Sequence, residues 1–175
     1  MQQGVQIYKA IFTQYLVDTE AQAPSWLFPS QSNRFASSTA YFRALVTNEI
    51  LRVDYSFFSG PGLGKLRTTD PAAFLPANNA WNVCLDVKNE IASMPFLFSR
   101  NLLAQRTQMV DSNETLSVEM LGEPKAKTRL DFDRDYAVVI VKAGSGFLLK
   151  KTEFKEGQSA YHLNPTPYRG PFLKP

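Results

Sequence analysis

Alternating apolar and polar positions mark residues 78–101 as the centre of the predicted fold. In the first half of this stretch the apolar positions are Trp81, Val83, Leu85 and Val87. A period of two predicts a half-buried β-strand that turns its apolar face toward a core. A second apolar run, residues 94–98, follows a short polar connection. Because proline cannot donate a ladder hydrogen bond, Pro95 predicts an edge strand or an extended segment there.

Apolar side chains at spacings of three and four predict a helix over residues 4–19. The predicted buried stripe consists of Val5, Tyr8, Ile11, Phe12, Tyr15 and Leu16. Such a stripe packs a helix onto a core, so replacing Phe12 with Ala is expected to cost about 3–5 kcal/mol. No capping residue precedes the pattern, which is already running at Val5. We therefore expect this segment to be the C-terminal part of a longer helix.

Residues 20–77 predict a second helix between two loops. The first loop, 20–37, contains prolines and an exposed-looking aromatic group, residues 26–28, that is a candidate plug. The second helix covers 38–49, with Ser37 or Ser38 as its cap. Its predicted buried stripe is Tyr41, Phe42, Leu45, Val46 and Ile50. Residues 51–58 alternate again and predict a short strand, or an extended segment that covers a sheet edge. Residues 59–77 form a loop rich in glycine and proline.

The C-terminal half predicts a hairpin between two irregular regions. Residues 101–132 are polar and contain one predicted strand, 116–121, so we interpret them as an insertion or flap. Residues 136–151 predict the hairpin, whose first strand is apolar on both faces and whose turn lies at 143–146. From residue 157 onward, four prolines indicate an irregular tail. The chain is therefore predicted to be one α+β domain over 1–175, with helices first and then an antiparallel sheet of three to five strands.

Composition and charge exclude several classes of protein. A chain of 175 residues with 44% hydrophobic content can bury roughly 70% of the surface that its unfolded form exposes. The 19 basic and 16 acidic residues give a net charge of +3, and the basic runs have acidic neighbours, so we expect a solvated surface and no nucleic-acid partner. The lone Cys84 cannot form an intramolecular disulfide. The longest apolar candidate, 136–141, falls far short of the ~20 residues of a membrane span. Polar residues directly after Met1 predict no secretory signal.

Two loops resemble ligand motifs without completing them. Residues 60–65 contain three glycines and a lysine, but Ser59 and Leu66 stand where a phosphate-binding loop needs a glycine and a hydroxyl. Asp131, Asp133 and Asp135 would share one face of an extended chain, and a cation could bridge them. A calcium-binding EF-hand loop would need Gly and Glu where the chain has Tyr136 and Lys142. We favour a connecting loop in the first case and a solvated turn in the second.

No catalytic set emerges from the remaining polar residues. His162 is the only histidine, so a histidine-based metal site is not expected. It lies in the proline-rich tail, and nothing in the sequence brings it to Cys84. Residues 113–115 match a glycosylation sequon, a pattern that is frequent by chance. We therefore predict no catalytic, cofactor-binding or metal-binding residues.

Four segments together resemble a known family. They are SSTAYFRALVTNEILRVDYSFFSGPG (37–62), NNAWNVCLDV (78–87), MPFLFSRNL (94–102) and YAVVIVKAGSGFLLKK (136–151). They are similar to the soluble domain of the large, divergent pseudopilin-like proteins of bacterial type II secretion and type IV pilus systems. In that family a helix packs on an antiparallel sheet, and an apolar half-helix of about twenty residues before it anchors the subunit in the membrane. This resemblance implies that residues 4–19 are the C-terminal half of the long helix, whose N-terminal apolar half is missing from the sequence. The family's C-terminal calcium loop is not clearly reproduced.

The resemblance implies a structural protein that is not an enzyme. Such a subunit would assemble with copies of itself, with other pseudopilin subunits and with inner-membrane assembly components. It would be periplasmic or on the cell surface, anchored in the inner membrane before assembly. The loops 24–37, 59–77 and 101–132 are expected to be exposed for partner contacts.

Two other classes remain open. The first is a soluble exported binding module for a peptide, glycan or host receptor, which would carry a ligand cleft beside the 59–77 loop. The second is an enzyme that uses Cys84 as a nucleophile with His162. A cysteine activated in this way would be alkylated rapidly at neutral pH.

Overall fold

The computed structural model describes residues 1–17, 24–30, 35–60, 63, 66–85, 95–100, 102–106, 116–120, 136–141, 144–150 and 172–175. Within these residues, two α-helices come first: α1 (Gln2–Val17) and α2 (Ser38–Thr47). Seven strands of the described chain follow: β1 (Trp81–Cys84), β2 (Pro95–Ser99), β3 (Leu102–Arg106), β4 (Leu116–Met120), β5 (Tyr136–Val141), β6 (Gly146–Lys150) and β7 (Phe172–Leu173). Short 3-10 turns lie at Ser25–Leu27, Tyr55–Phe58 and Pro76–Asn78.

Five strands form one antiparallel sheet in the order β6-β5-β2-β1-β7, and β3 pairs with β4 in a separate ribbon. This arrangement confirms the predicted α+β class, with helices before an antiparallel sheet. The β5–β6 hairpin is also as predicted: Val139 pairs with Phe147, and Gly144 takes a φ of +74° in the turn. β4 confirms the strand expected near 116–121, whereas its partner β3 was not predicted.

β1 and β2 lie deeper in the sheet than the sequence suggests. All four residues of β1 are buried, including Asn82 and Cys84 on the face predicted to be polar. The amide nitrogen of Asn82 donates to the carbonyl of Ser99, which makes burial of this polar side chain tolerable. β2 is not an edge strand, because it pairs with β1 on one side and β5 on the other. Pro95 is accommodated as the first residue of β2, where the register to β5 shifts between Pro95 and Leu97.

The buried face of α1 is rotated from the predicted stripe. Its buried residues are Gly4, Ile7, Tyr8 and Ile11. Tyr8 and Ile11 were predicted, but Phe12 is 36% exposed and Leu16 is 54% exposed, and the buried Ile7 was not in the predicted stripe. Phe12 stacks on Tyr8 with ring centroids 5.7 Å apart and does not enter the core. We therefore expect Phe12→Ala to lower the free energy of unfolding by less than the about 3–5 kcal/mol expected for a core phenylalanine.

The rotation follows from how closely α1 approaches the sheet at Gly4. An ideal Cβ on Gly4 would lie 2.6 Å from Cγ1 of Ile140 and 3.0 Å from Cη2 of Trp81. Two real side chains do not pack at 2.6 Å, so only glycine fits this position without a shift. Gly4 therefore selects the helix face that meets the sheet.

Residues 51–58 do not form the predicted strand. The segment turns into the 3-10 helix Tyr55–Phe58, where the Asp54 carboxylate accepts the backbone N–H of Ser56 at 2.9 Å. Tyr55 and Phe58, three residues apart, are both fully buried. The alternation covers too few residues to distinguish a strand from a 3-10 turn, which buries two side chains three residues apart.

A buried polar cluster joins α2 to the start of β1. Ser37 caps α2 by accepting the backbone N–H of Ala40 at 3.1 Å. The Asn79 amide donates to the hydroxyls of Ser38 (2.9 Å) and Thr39 (3.2 Å), and its carbonyl accepts the Trp81 N–H at 3.0 Å. The Ser38 hydroxyl donates in turn to the Trp81 carbonyl at 2.7 Å. Every donor and acceptor of the Asn79 side chain amide is therefore used, which makes its complete burial stable.

Two predicted irregular regions are more ordered than expected in their described parts. In the 20–37 loop, Leu27 is fully buried and its carbonyl accepts the Tyr41 hydroxyl at 2.7 Å, so this segment acts as the plug and is not generally exposed. The end of the tail adds β7 to the sheet beside β1. This two-residue strand was not expected, because the four prolines of the tail predicted an irregular segment. The rest of the tail, and residues 101, 107–115 and 121–132 of the insertion, lie outside the described residues.

We predict that Gly4→Ala destabilises the chain by about 1–3 kcal/mol, because its methyl group overpacks the contact with Ile140 and Trp81. Helix propensity alone predicts the opposite sign, a gain of about 0.5–1 kcal/mol for alanine over glycine. Urea unfolding of the variant measures the difference. Gln6→Ala on the exposed face is the control and should change stability by no more than about 0.5 kcal/mol. Equal or greater stability of Gly4→Ala would contradict the close approach.

Candidate functional site

The residues singled out for chemistry are not brought together by the described structure. Cys84 lies in β1 and is only 1% exposed. His162, the three aspartates 131, 133 and 135, and the sequon 113–115 lie outside the described residues, as do 61, 62, 64 and 65 of the glycine-rich loop. Within the described ranges, no group of three His, Cys, Asp or Glu side chains is placed to hold a metal ion.

Burial dominates the electrostatics of the described side chains. It raises the pKa of Tyr8 and raises that of Tyr41 well above its usual value. Burial also raises the pKa of Tyr55, with Thr47 and Arg43 opposing the shift. These shifts hold tyrosines neutral, which suits a core and not proton transfer near neutral pH. The ion pair between Arg52 and Glu49, at 3.2 Å, has side chains 81% and 73% exposed and contributes little to stability.

An open cleft of about 740 Å³ lies beside the C-terminal end of α2. One wall is formed by residues 46–54, which run from the end of α2 toward the 3-10 helix, and the other by Thr69 and Pro71. The lining residues are Val46, Thr47, Glu49, Leu51, Arg52, Val53, Asp54, Thr69 and Pro71. The cleft lining therefore combines aliphatic side chains with hydroxyl groups and charges of both signs.

Local hydrogen bonds shape both walls of this cleft. α2 ends at Thr47 with Asn48 as its C-cap, and Glu49 follows with a φ of +58°, in the left-handed region that glycine usually occupies at a helix end. The Leu51 N–H then donates to the Leu45 carbonyl at 3.0 Å, which turns the chain back along the helix end. Across the cleft, the Tyr55 N–H donates to the Thr68 carbonyl at 2.9 Å and ties the two walls together.

A cluster of aromatic rings supports the same region from inside. Tyr55 stacks on Phe74 and Phe42 stacks on Phe58, each with ring centroids 4.6 Å apart. Arg43 on α2 donates two hydrogen bonds to the Phe74 carbonyl, which connects the helix to the segment behind the second wall. These contacts pack the segments that carry the two walls against each other, which helps a binding site to keep its shape.

A second surface is formed by the outer side of α1. Phe12 and Leu16 lie four residues apart on one helix face, at 36% and 54% exposure, and Val17 next to Leu16 is 67% exposed. Lys9 is the only charged side chain of the helix. Clustered apolar side chains of this kind are typical of protein-protein contacts.

The sequence anticipated one wall of the cleft and missed the other. A cleft beside the 59–77 loop was the expected sign of a binding module, and Thr69 and Pro71 of that loop do line one. The 46–54 wall was missed because residues 51–58 were predicted to form a strand. Asp54 followed two residues later by Ser56 is a turn signal that could have shown where the extended segment ends. The outward position of Phe12 and Leu16 was missed because Gly4 was not recognised as a packing position.

Comparison of the chain with protein-family models, with curated proteins and with solved structures found no match. Among the described residues, no helix combines the length and apolar character needed to cross a membrane. Function is therefore inferred from the residues and from the two surfaces described above.

We expect Cys84 to react slowly with iodoacetamide at neutral pH, because it is buried in the sheet and its thiol is shielded from solvent. Mass spectrometry after timed alkylation measures the rate, with the urea-unfolded chain as the fully reactive control. Alkylation of the native chain as fast as that of the unfolded chain would place Cys84 at an accessible site and revive the nucleophile hypothesis.

Proposed function

We propose that this chain is a non-enzymatic structural subunit of a type II secretion pseudopilus or a type IV pilus-like filament. The observation that carries the proposal is the division of α1 into two apolar faces. The inner face is held to the sheet through Gly4, Ile7 and Ile11, while Phe12 and Leu16 remain on the outer face. The four segments that resemble pseudopilin-like proteins support the same proposal.

The physical basis of assembly would be burial of this outer face. Each Å² of apolar surface removed from water contributes roughly 25 cal/mol, and a filament repeats the contact at every subunit. Copies of the same chain or other pseudopilin subunits are the proposed partners, together with inner-membrane assembly components. In the resembling family an apolar half-helix precedes such a segment and anchors the subunit in the inner membrane before assembly. We propose the same anchor, and a periplasmic or cell-surface location, for this protein.

A pair of cysteine variants tests the assembly surface. Leu16→Cys and Leu75→Cys start from side chains of nearly equal exposure, 54% and 53%, but only the first lies on α1. The native Cys84 is buried and should not compete in cross-linking. After cells that carry the native-length protein are treated with a long bismaleimide, which links thiols that are not in direct contact, we expect covalent dimers from Leu16→Cys and mostly monomers from Leu75→Cys, as read on a denaturing gel.

Monomers from both variants would contradict a repeated α1 contact. Equal dimer yields from both would indicate non-specific collision instead of an ordered assembly. Unchanged urea unfolding of each reduced variant confirms that the fold is intact.

A second candidate function is an exported binding module, and the cleft between residues 46–54 and Thr69 and Pro71 favours it. Its volume falls within the range of ligand sites, and its mixed lining offers both an aliphatic bed and polar groups. This candidate predicts that the chain binds a ligand without assembling. Dimer-free behaviour of Leu16→Cys combined with ligand binding in the cleft would therefore favour it over the filament.

A further inference from the structure

The cleft wall contains three consecutive residues whose backbone N–H groups are unpaired among the described residues, although the Asp54 carbonyl accepts the Phe57 N–H at 3.1 Å. Residues 52–54 run along the cleft without regular secondary structure. Within the described part of the chain, the N–H groups of Arg52, Val53 and Asp54 have no hydrogen-bond acceptor, and the carbonyls of Arg52 and Val53 have no donor. The neighbours on either side are paired, Leu51 to Leu45 and Tyr55 to Thr68.

The unpaired backbone groups end in an extended residue. Asp54 has backbone angles φ −81° and ψ +164°, and a three-residue segment in that conformation would span about 10 Å. Arg52 is exposed, whereas Val53 and Asp54 are half-buried at the cleft. Unpaired N–H and C=O groups in this arrangement are a template for another extended chain.

We propose that the cleft binds an extended peptide segment, which adds a strand along residues 52–54. Main-chain hydrogen bonds would supply affinity, and alternate side chains of the peptide would enter the cleft. The aliphatic lining of Val46, Leu51 and Pro71 suits an apolar side chain at one such position.

The charges of the cleft favour a peptide over a small ion. Arg52 is paired with Glu49, and the Asp54 carboxylate accepts hydrogen bonds from the backbone and hydroxyl of Ser56. The described lining residues therefore carry charges of both signs, with no concentration of one sign for an anion or cation. None of the described lining residues is aromatic, so this part of the chain supplies no stacking platform of the kind that single-stranded nucleic acids use.

This inference deepens the second candidate function by naming its ligand class, and it rests on that candidate alone. Filament assembly is tested on α1, none of whose residues line the cleft. Failure of peptide binding therefore leaves the cross-linking result on Leu16 unaffected.

Three substitutions isolate the peptide site. Val53→Pro removes one N–H that is unpaired among the described residues, and proline favours extended backbone at the residue before it. Thr69→Arg places a long side chain in the cleft from the exposed residue on the opposite wall. Ala72→Arg is its matched control, with the same added charge and length at an exposed position that does not line the cleft.

The experiment selects a phage-displayed library of random dodecapeptides on the full chain and measures the affinity of synthetic winners by fluorescence polarisation. We expect enriched peptides to lose at least about tenfold in affinity on Val53→Pro and on Thr69→Arg, and less than about twofold on Ala72→Arg. Unfolding curves confirm that each variant is folded. Absence of enriched peptides, or winners that bind Thr69→Arg as well as the natural chain, would overturn the proposal. If Val53→Pro unfolds, the Thr69→Arg and Ala72→Arg pair decides the question.

Discussion

The close contact of helix α1 with the sheet at Gly4 determines which surfaces the protein presents. Any side chain at this position would collide with Ile140 or Trp81, so the helix can approach only with its glycine face inward. Gly4, Ile7, Tyr8 and Ile11 are then buried together, at the i, i+3, i+4 and i+7 spacing of one helix face. Phe12 and Leu16 are left on the outer side as a direct consequence. The same packing constraint thus stabilises the fold and creates the proposed assembly surface.

A second constraint is a buried hydrogen-bond cluster, which fixes α2 against β1. The buried Asn79 amide links the first residues of α2 to the backbone of β1, so helix and strand hold a defined relative position. The C-terminal end of α2 is thereby fixed as well, and the aromatic rings beneath it support the cleft. The two candidate sites therefore depend on different contacts, which allows each to be disrupted without the other.

Sequence patterns predicted where helices and strands form better than they predicted how deeply each element is buried. The two helices, β1, β4 and the β5–β6 hairpin were all expected, because their periodicities extend over enough residues to be distinctive. The depth of β1 and β2 was not, because burial of Asn82 and Cys84 depends on neighbours that are distant in sequence. Residues 51–58 were misassigned because a short alternation also fits a 3-10 turn capped by Asp54. The sequence could place the cleft only beside the 59–77 loop, because its other wall, residues 46–54, depends on how the chain turns after α2.

The filament proposal is tested most directly by the N-terminus of the native protein, measured by mass spectrometry on the membrane fraction of its source cells. The account predicts a chain in which an apolar segment of about twenty residues precedes α1, and the resemblance to pseudopilin-like proteins adds a methylated first residue. A native chain that begins at Met1 and is absent from the membrane fraction would contradict a membrane-anchored filament subunit. It would leave the peptide-binding module as the leading explanation of the cleft.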